Sequence, residues 1–171
     1  MKFYHGTSIY HGMSIIKDGR IKKTTEDNTI YQDVPEEYKT TPGYVYLTTS
    51  DNQAFRWGKK ALFHMLHYKK TTMESELSEA EKLGIYIFEV DIPDISVLEP
   101  DIDECDLRVK TRRIDRCKIC TLDNCIDRIG SVRFKHDLFI GKEINRLKVM
   151  STMTMNDKFM LLKDWSNIVT S

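Results

Sequence analysis

The chain has 171 residues, and its 26 lysines and arginines balance 26 aspartates and glutamates, so the formal net charge is zero. A composition that is 40% hydrophobic and 30% charged excludes collagen-like, low-complexity and disordered chains, and the missing basic excess excludes a coat that covers nucleic acid by bulk charge. The length points to one domain over 1–171, and no apolar run approaches the roughly 18 residues of a membrane span, so no membrane partner is expected.

Residues 2–5 form a short strand candidate, with no basic stretch and apolar run of the kind that opens a signal peptide; a cytoplasmic protein with reduced cysteines is the expectation. Ser8 is placed to cap a helix over 9–17, with Gly19 at its left-handed end. Residues 20–42 are polar, are punctuated by Pro35, Pro42 and Gly43, and predict a long loop that can serve as a lid or an acceptor loop. Residues 44–48 are aromatic and β-branched and predict a strand. Ser50 or Asp51 caps a helix over 52–69 that buries Ala54, Gly58, Ala61, Leu62 and Met65 on one face. After an acidic connection, 85–92 is the clearest strand, and Pro93 closes it. Residues 106–128 are expected to be partly helical, 132–135 and 138–140 to be strands, and 157–169 to be a last helix capped by Asn156, with Phe159, Leu162 and Trp165 at helical spacing. That order fits an α+β domain better than a doubly wound sheet.

Zero net charge conceals blocks. Residues 73–106 hold 12 acidic groups and 1 basic group, whereas 107–136 hold 9 basic and 3 acidic. The plain account is two surfaces that attract each other; the sharper one is that 107–136 meets an anionic target, a nucleic acid or an acidic protein. Cys117 and Cys120 have metal-ligand spacing, with Cys105, Cys125 and His136 as possible companions, but a second such pair is absent and no metal is assigned. His64 and His67, three apart on a helix, lack an obvious acidic partner. Met150, Met153, Met155 and Met160 suit adaptable packing, and Trp57 and Trp165 suit core or rim positions.

The chemistry begins at Tyr4-His5-Gly6-Thr7-Ser8: an imidazole at a strand end, a glycine beside which a ligand can come close, and a hydroxyl. Together with Gly43-Tyr44-Val45-Tyr46-Leu47-Thr48-Thr49-Ser50, the Ala54 helix and Gly84-Ile85-Tyr86-Ile87-Phe88-Glu89-Val90-Asp91-Ile92-Pro93, this segment resembles the ADP-ribosyltransferase superfamily. The closest branch is the one typified by diphtheria toxin and the poly-ADP-ribose polymerases, whose fold is shared with RNA 2′-phosphotransferases. The resemblance covers most of 1–100 and loosely 130–145. It implies two small, mostly antiparallel sheets that form a cleft for NAD⁺, with flanking helices. It also implies transfer of ADP-ribose from NAD⁺ to a protein or nucleic-acid target with release of nicotinamide. His5 would hold the adenosine-side ribose, the Gly6 backbone would pair with the carboxamide, and Tyr46 would stack on the nicotinamide ring. Thr7, Thr48 and Ser50 would frame the pocket, with Tyr44 a competing stacker.

One departure matters. Active members of the family carry a glutamate near the start of a late strand, here 131–138, and none stands there; Asp137 and Glu143 lie beyond it and Glu104 well before it. Three readings follow: another acid takes the role, a single ADP-ribose is transferred without it, or the domain binds NAD⁺ or ADP-ribose without chemistry. The phosphotransferase alternative draws interest to Arg133, but that family's first lobe with its Arg-His pair is missing. A zinc-pinned interaction protein is the remaining alternative.

Overall fold

The computed structural model describes residues 1–25, 40–68, 77–112, 120–152 and 159–168, apart from the side chains of residues 67, 68, 79 and 112. β1 (Lys2–Ser8) runs into α1 (Ile9–Asp18) at Ser8, whose hydroxyl accepts the His11 amide at 3.4 Å. Gly19 ends that helix at φ +69°, as its position predicts. β2 (Arg20–Ile21) interrupts the expected loop, and residues 26–39 of that loop lie outside the described residues. β3 (Val45–Thr48) leads into α2 (Asp51–Tyr68), where the Ser50 hydroxyl accepts the Gln53 amide at 3.2 Å. A capping box of Ser78 and Glu81 opens the short α3 (Glu79–Lys82) before β4 (Gly84–Asp91). β5 (Leu98–Pro100), α4 (Ile102–Arg112), a π turn (Cys125–Ile129), β6 (Ser131–Phe134), β7 (Leu138–Phe139), β8 (Ile144–Thr152) and β9 (Phe159–Asn167) follow.

This is an α+β architecture dominated by one antiparallel sheet, in the order β5-β6-β3-β1-β4-β8-β9, with β2 and β7 as a separate ribbon. The expectation of two small sheets is corrected: the central strands are continuous. The sheet is nevertheless weak at one seam. β1 pairs with β4 over its whole length, from Lys2 opposite Asp91 to Ser8 opposite Ile85, whereas β1 and β3 share one register pair, Tyr4 opposite Thr48.

The last element is also corrected. Residues 159–167 form a strand, not a helix, because β8 offers an edge to pair with. Register between the two strands is irregular at Leu147–Val149 and Val149–Met150. Leu162 packs against the core on one face of the sheet and Trp165 against that on the other, so an apolar spacing of three serves both faces of a strand.

The sheet's two faces carry separate cores. Phe3, Leu47, Phe88, Val90 and Val132 lie in one, together with Leu138 and Ile144. Ile85 and Ile87 lie in the other, beneath Ile9 and Tyr10 of α1 and Ala54, Leu62 and Met65 of α2. Ala54, Gly58, Ala61, Leu62 and Met65 are all buried, as the helical periodicity predicts.

Gly6 and Gly58 allow α2 to sit this close. A Cβ on Gly6 would lie 1.7 Å from the Ala54 carbonyl oxygen, and one on Gly58 would lie 2.4 Å from Ile85 Cγ2. Gly6→Ala should therefore cost about 3 kcal/mol, near the upper end of overpacking penalties. Gly19→Ala, which meets open space but keeps a positive φ, should cost about 1 kcal/mol. Urea unfolding midpoints of the two variants check the ranking; equal losses would mean that α2 is not seated on β1 as described.

Candidate functional site

A cleft of about 1560 Å³ opens where β1 and β3 part. Its wall includes His5, Gly6 and Thr7 from β1, Tyr44 just before β3, Tyr46 and Thr48 from β3, residues of α2, and Asp101, Asp103 and Glu104 at the start of α4. Extending the one β1–β3 register pair would put Gly6 opposite Tyr46. Instead the Tyr46 carbonyl meets the His5 ring, with Nδ1 at 3.1 Å. Nδ1–H is then the donor and Nε2 the free acceptor, which fixes the tautomer. Burial pulls the His5 pKa below its ordinary value, although the Tyr46 carbonyl opposes this, so the ring is neutral at pH 7.

Tyr46 is tied to an acid. Its hydroxyl donates to Asp103 Oδ2 at 2.5 Å, with the Thr41 carbonyl at 2.9 Å beside it. Thr41 in turn donates to Asp103 through its amide at 2.8 Å and its hydroxyl at 2.6 Å. Burial first, and then the Asp103 carboxylate, push the Tyr46 phenol pKa far above its ordinary value. The ring is thus held in one orientation as a neutral phenol. Tyr44 stands edge-on to Tyr46, with ring centroids 6.5 Å apart, and its own face is covered by the Arg133 guanidinium at 4.0 Å.

Asp101 is the deepest acid. It is buried, accepts the Glu104 amide at 3.0 Å as a helix cap, and takes a hydrogen bond from the Ser131 hydroxyl. Burial raises its pKa, against the opposing hydrogen bonds from Ser131 and Glu104. Ser131 opens β6 opposite Thr48, so the acid stands at the start of the late strand although it belongs to another element. Gly130, at φ +76°, ends the π turn and delivers Ser131 to this point, and its carbonyl accepts the Thr49 amide at 3.0 Å.

The sequence-predicted residues fall into two groups. His5, Gly6, Thr7, Tyr44, Tyr46 and Thr48 all line the cleft. Thr7 and Thr48 are almost wholly buried, and the Thr48 hydroxyl is spent on the Tyr4 and Ser50 carbonyls at 3.3 and 2.9 Å. Ser50 caps α2 and borders a smaller adjoining recess instead. Gly6 makes room for the Ala54 backbone on its α2 side.

Asp101 and Asp103 belong to none of the motifs that carry the resemblance; their signal in the sequence is a capping pattern, Asp101 followed three residues later by Glu104, at the head of a helix. Asp137 and Glu143 do not line the cleft: Asp137 pins β2 through Arg20 at 3.0 Å and the Lys23 amide at 2.9 Å, and Glu143 accepts the Phe139 amide at 3.0 Å.

Part of the described basic segment is paired with the acidic one. Arg108 pairs with Glu104 at 2.9 Å, Arg133 and Lys135 both pair with Glu99, and residues 113–119 lie outside the described residues. The acidic and basic blocks thus meet each other, as the plain account expects. Cys105 and Cys125 are fully buried with their sulfurs 3.6 Å apart, and Cys120 packs against the same core. Cys117 lies outside the described residues, among which no group of three or more His, Cys, Asp or Glu side chains is arranged to hold a metal. Among the described residues no helix is long and apolar enough to cross a membrane. Comparison with protein-family models, with curated proteins and with solved structures finds no match to this chain.

Two titrations test this geometry. The fold keeps His5 neutral below the pH at which a free imidazole charges. The unfolded chain therefore takes up a proton that the fold refuses, and stability falls as pH drops below about 6.5, by at most about 1.4 kcal/mol per pH unit for this one group. His5→Asn should have a shallower slope between pH 5 and 7 in urea titrations. Tyr46 acts at the other end: its contribution is complete below about pH 10 and is lost as pH rises further, so Tyr46→Phe should be less alkali-sensitive than the parent protein. An unchanged slope in either variant would mean that the group is not buried as described.

Proposed function

We propose that the cleft binds NAD⁺ and that the protein is an ADP-ribosyltransferase. The observation that carries this is the meeting of His5 and Tyr46, 41 residues apart in sequence, at the seam of β1 and β3 on the wall of one cleft that also holds Asp101, Asp103 and Glu104 at the head of α4. The cleft volume exceeds the roughly 300–1,000 Å³ usual for small-ligand sites, which suits a dinucleotide with part of an acceptor beside it.

In this mechanism the neutral His5 accepts a ribose hydroxyl at Nε2, while Nδ1 stays on the Tyr46 carbonyl. The Tyr46 ring, locked by Asp103, stacks on nicotinamide and orients its glycosidic bond. That bond breaks with its electron pair leaving on nicotinamide, and positive charge develops on the ribose carbon. Carboxylates at the head of α4 stabilise that charge, taking the place of the glutamate that the late strand lacks. The acceptor then bonds to the same carbon and loses its proton to a carboxylate or to water. Asp103 bonded to the stacking tyrosine, with Asp101 near it, favours chemistry over bare binding. Arg133, which would draw attention in a phosphotransferase, is occupied by Glu99 and Tyr44 and is absent from the cleft wall.

Incubation with labelled NAD⁺ and a cell lysate tests the proposal. The parent protein should release nicotinamide and transfer label, His5→Ala should do neither, and Asp103→Asn should lose about 100-fold in rate, in the range of a displaced acid-base group. NAD⁺ binding without nicotinamide release would reassign the domain as a binding module. No binding at all would end the proposal.

A further inference from the structure

Beside the cleft lies a polar recess of about 520 Å³, and the two share a ridge on α2 made by Arg56, Trp57 and Lys60. Asn52 and Gln53 line the recess from the first turn of the same helix, and Arg108 of α4 closes it. Its wall thus carries three cations and no carboxylate, although the chain as a whole is neutral. Arg108 is fixed in place by Glu104 at 2.9 Å and by the Ile129 carbonyl at 3.1 Å. Arg56 and Lys60 are exposed and have no acidic partner among the described residues; Lys60 lies 4.2 Å above the Trp57 ring. The half-buried indole faces both the recess and the cleft.

We propose that this ridge and recess seat a single-stranded nucleic acid, which is the acceptor of the ADP-ribose. The inference rests on the NAD⁺ reading for its acceptor role but not for its binding chemistry. Guanidinium and ammonium groups pair with successive phosphates, and an indole among them gives a base a surface to stack on. The amides of Asn52 and Gln53 offer both donors and acceptors to a base edge. An acidic peptide would use the cations but leave the indole and the amides without a counterpart. A duplex would hide the base faces that Trp57 requires. Because the ridge is also a wall of the cleft, a nucleotide next to the stacked one lies over the site where the nicotinamide bond breaks. Its base nitrogen or sugar hydroxyl then bonds to the ribose carbon as nicotinamide departs with the electron pair, and its proton passes to a carboxylate or to water.

Fluorescence anisotropy with labelled 20-nucleotide mixed-sequence DNA and RNA, single-stranded and duplex, tests this without NAD⁺. Three phosphate contacts predict that log K falls against log salt with a slope near −2, from about 0.7 per contact on a single strand. Arg56→Ala with Lys60→Ala should flatten that slope to about −0.7. Trp57→Ala should weaken binding about 10-fold with the slope unchanged, because stacking releases no counterions. Equal binding of duplex, full competition by polyglutamate, or variants that bind like the parent would overturn the proposal. So would a rise in the KM for NAD⁺ in the variants, which would assign the ridge to the cofactor. If no protein releases nicotinamide while these binding results hold, the transferase reading fails and the nucleic-acid site stands. If nicotinamide is released and no oligonucleotide binds, only the acceptor proposal fails.

Discussion

The seating of α2 on β1 governs the rest of the molecule. With no side chain at Gly6, the Ala54 carbonyl comes directly against the strand, and Gly58 continues the contact one turn later. The helix can then cover Ile85 and Ile87 while its outer face overlooks the cleft. A larger residue at either glycine would lift the helix from the strand and widen the space beside His5 and Thr7. The same glycine that the sequence marks as an opening for a ligand is therefore first an opening for a helix.

The seam between β1 and β3 is the second constraint. A sheet that paired fully there would consume the Tyr46 carbonyl in its ladder. Because only Tyr4 and Thr48 are in register, that carbonyl is available to the His5 ring, which fixes the imidazole without a neighbouring carboxylate. Asp101, Asp103 and Glu104 are instead gathered at the head of α4, and Arg56 and Lys60, which have no acidic partner among the described residues, stand on α2. Arg108, Arg133 and Lys135 are paired with Glu104 and Glu99, whereas the basic ridge comes from the N-terminal half of the chain.

Local signals were legible in the sequence. Ser8 and Gly19 bound a helix, an apolar stripe with small residues specified how α2 would face the sheet, and β4 was evident from its run of β-branched and aromatic residues. Each of these rests on neighbours within a few positions. What was hidden depends on long-range pairing. β8 alternates irregularly, and residues 159–167 carry an apolar spacing of three that suits a helix until β8 is there to receive them. The site divides in the same way. His5 and Tyr46 stand out as residue types in short motifs, whereas Asp101 and Asp103 become neighbours of Ser131 and Tyr46 only once α4 is folded against β6 and β3. A carboxylate in a helix cap reads as a cap, and nothing in its neighbours reveals what it faces.

The segment between β2 and β3 is anchored at both ends. The Thr24 carbonyl accepts the Gly43 amide at 2.7 Å, and the Tyr44 carbonyl accepts the Thr24 amide at 2.8 Å and its hydroxyl at 3.0 Å. Thr24 and Tyr44 are themselves on the cleft wall. Just inside the second anchor, Thr40 lines the cleft as well, and Thr41 holds Asp103 and accepts the Tyr46 hydroxyl. One short turn therefore closes the segment and braces the tyrosine at once. A change at Thr41 would reach the site through Asp103, although Thr41 itself carries no chemistry, so the turn acts as a keystone whose sequence is constrained by a neighbour's task.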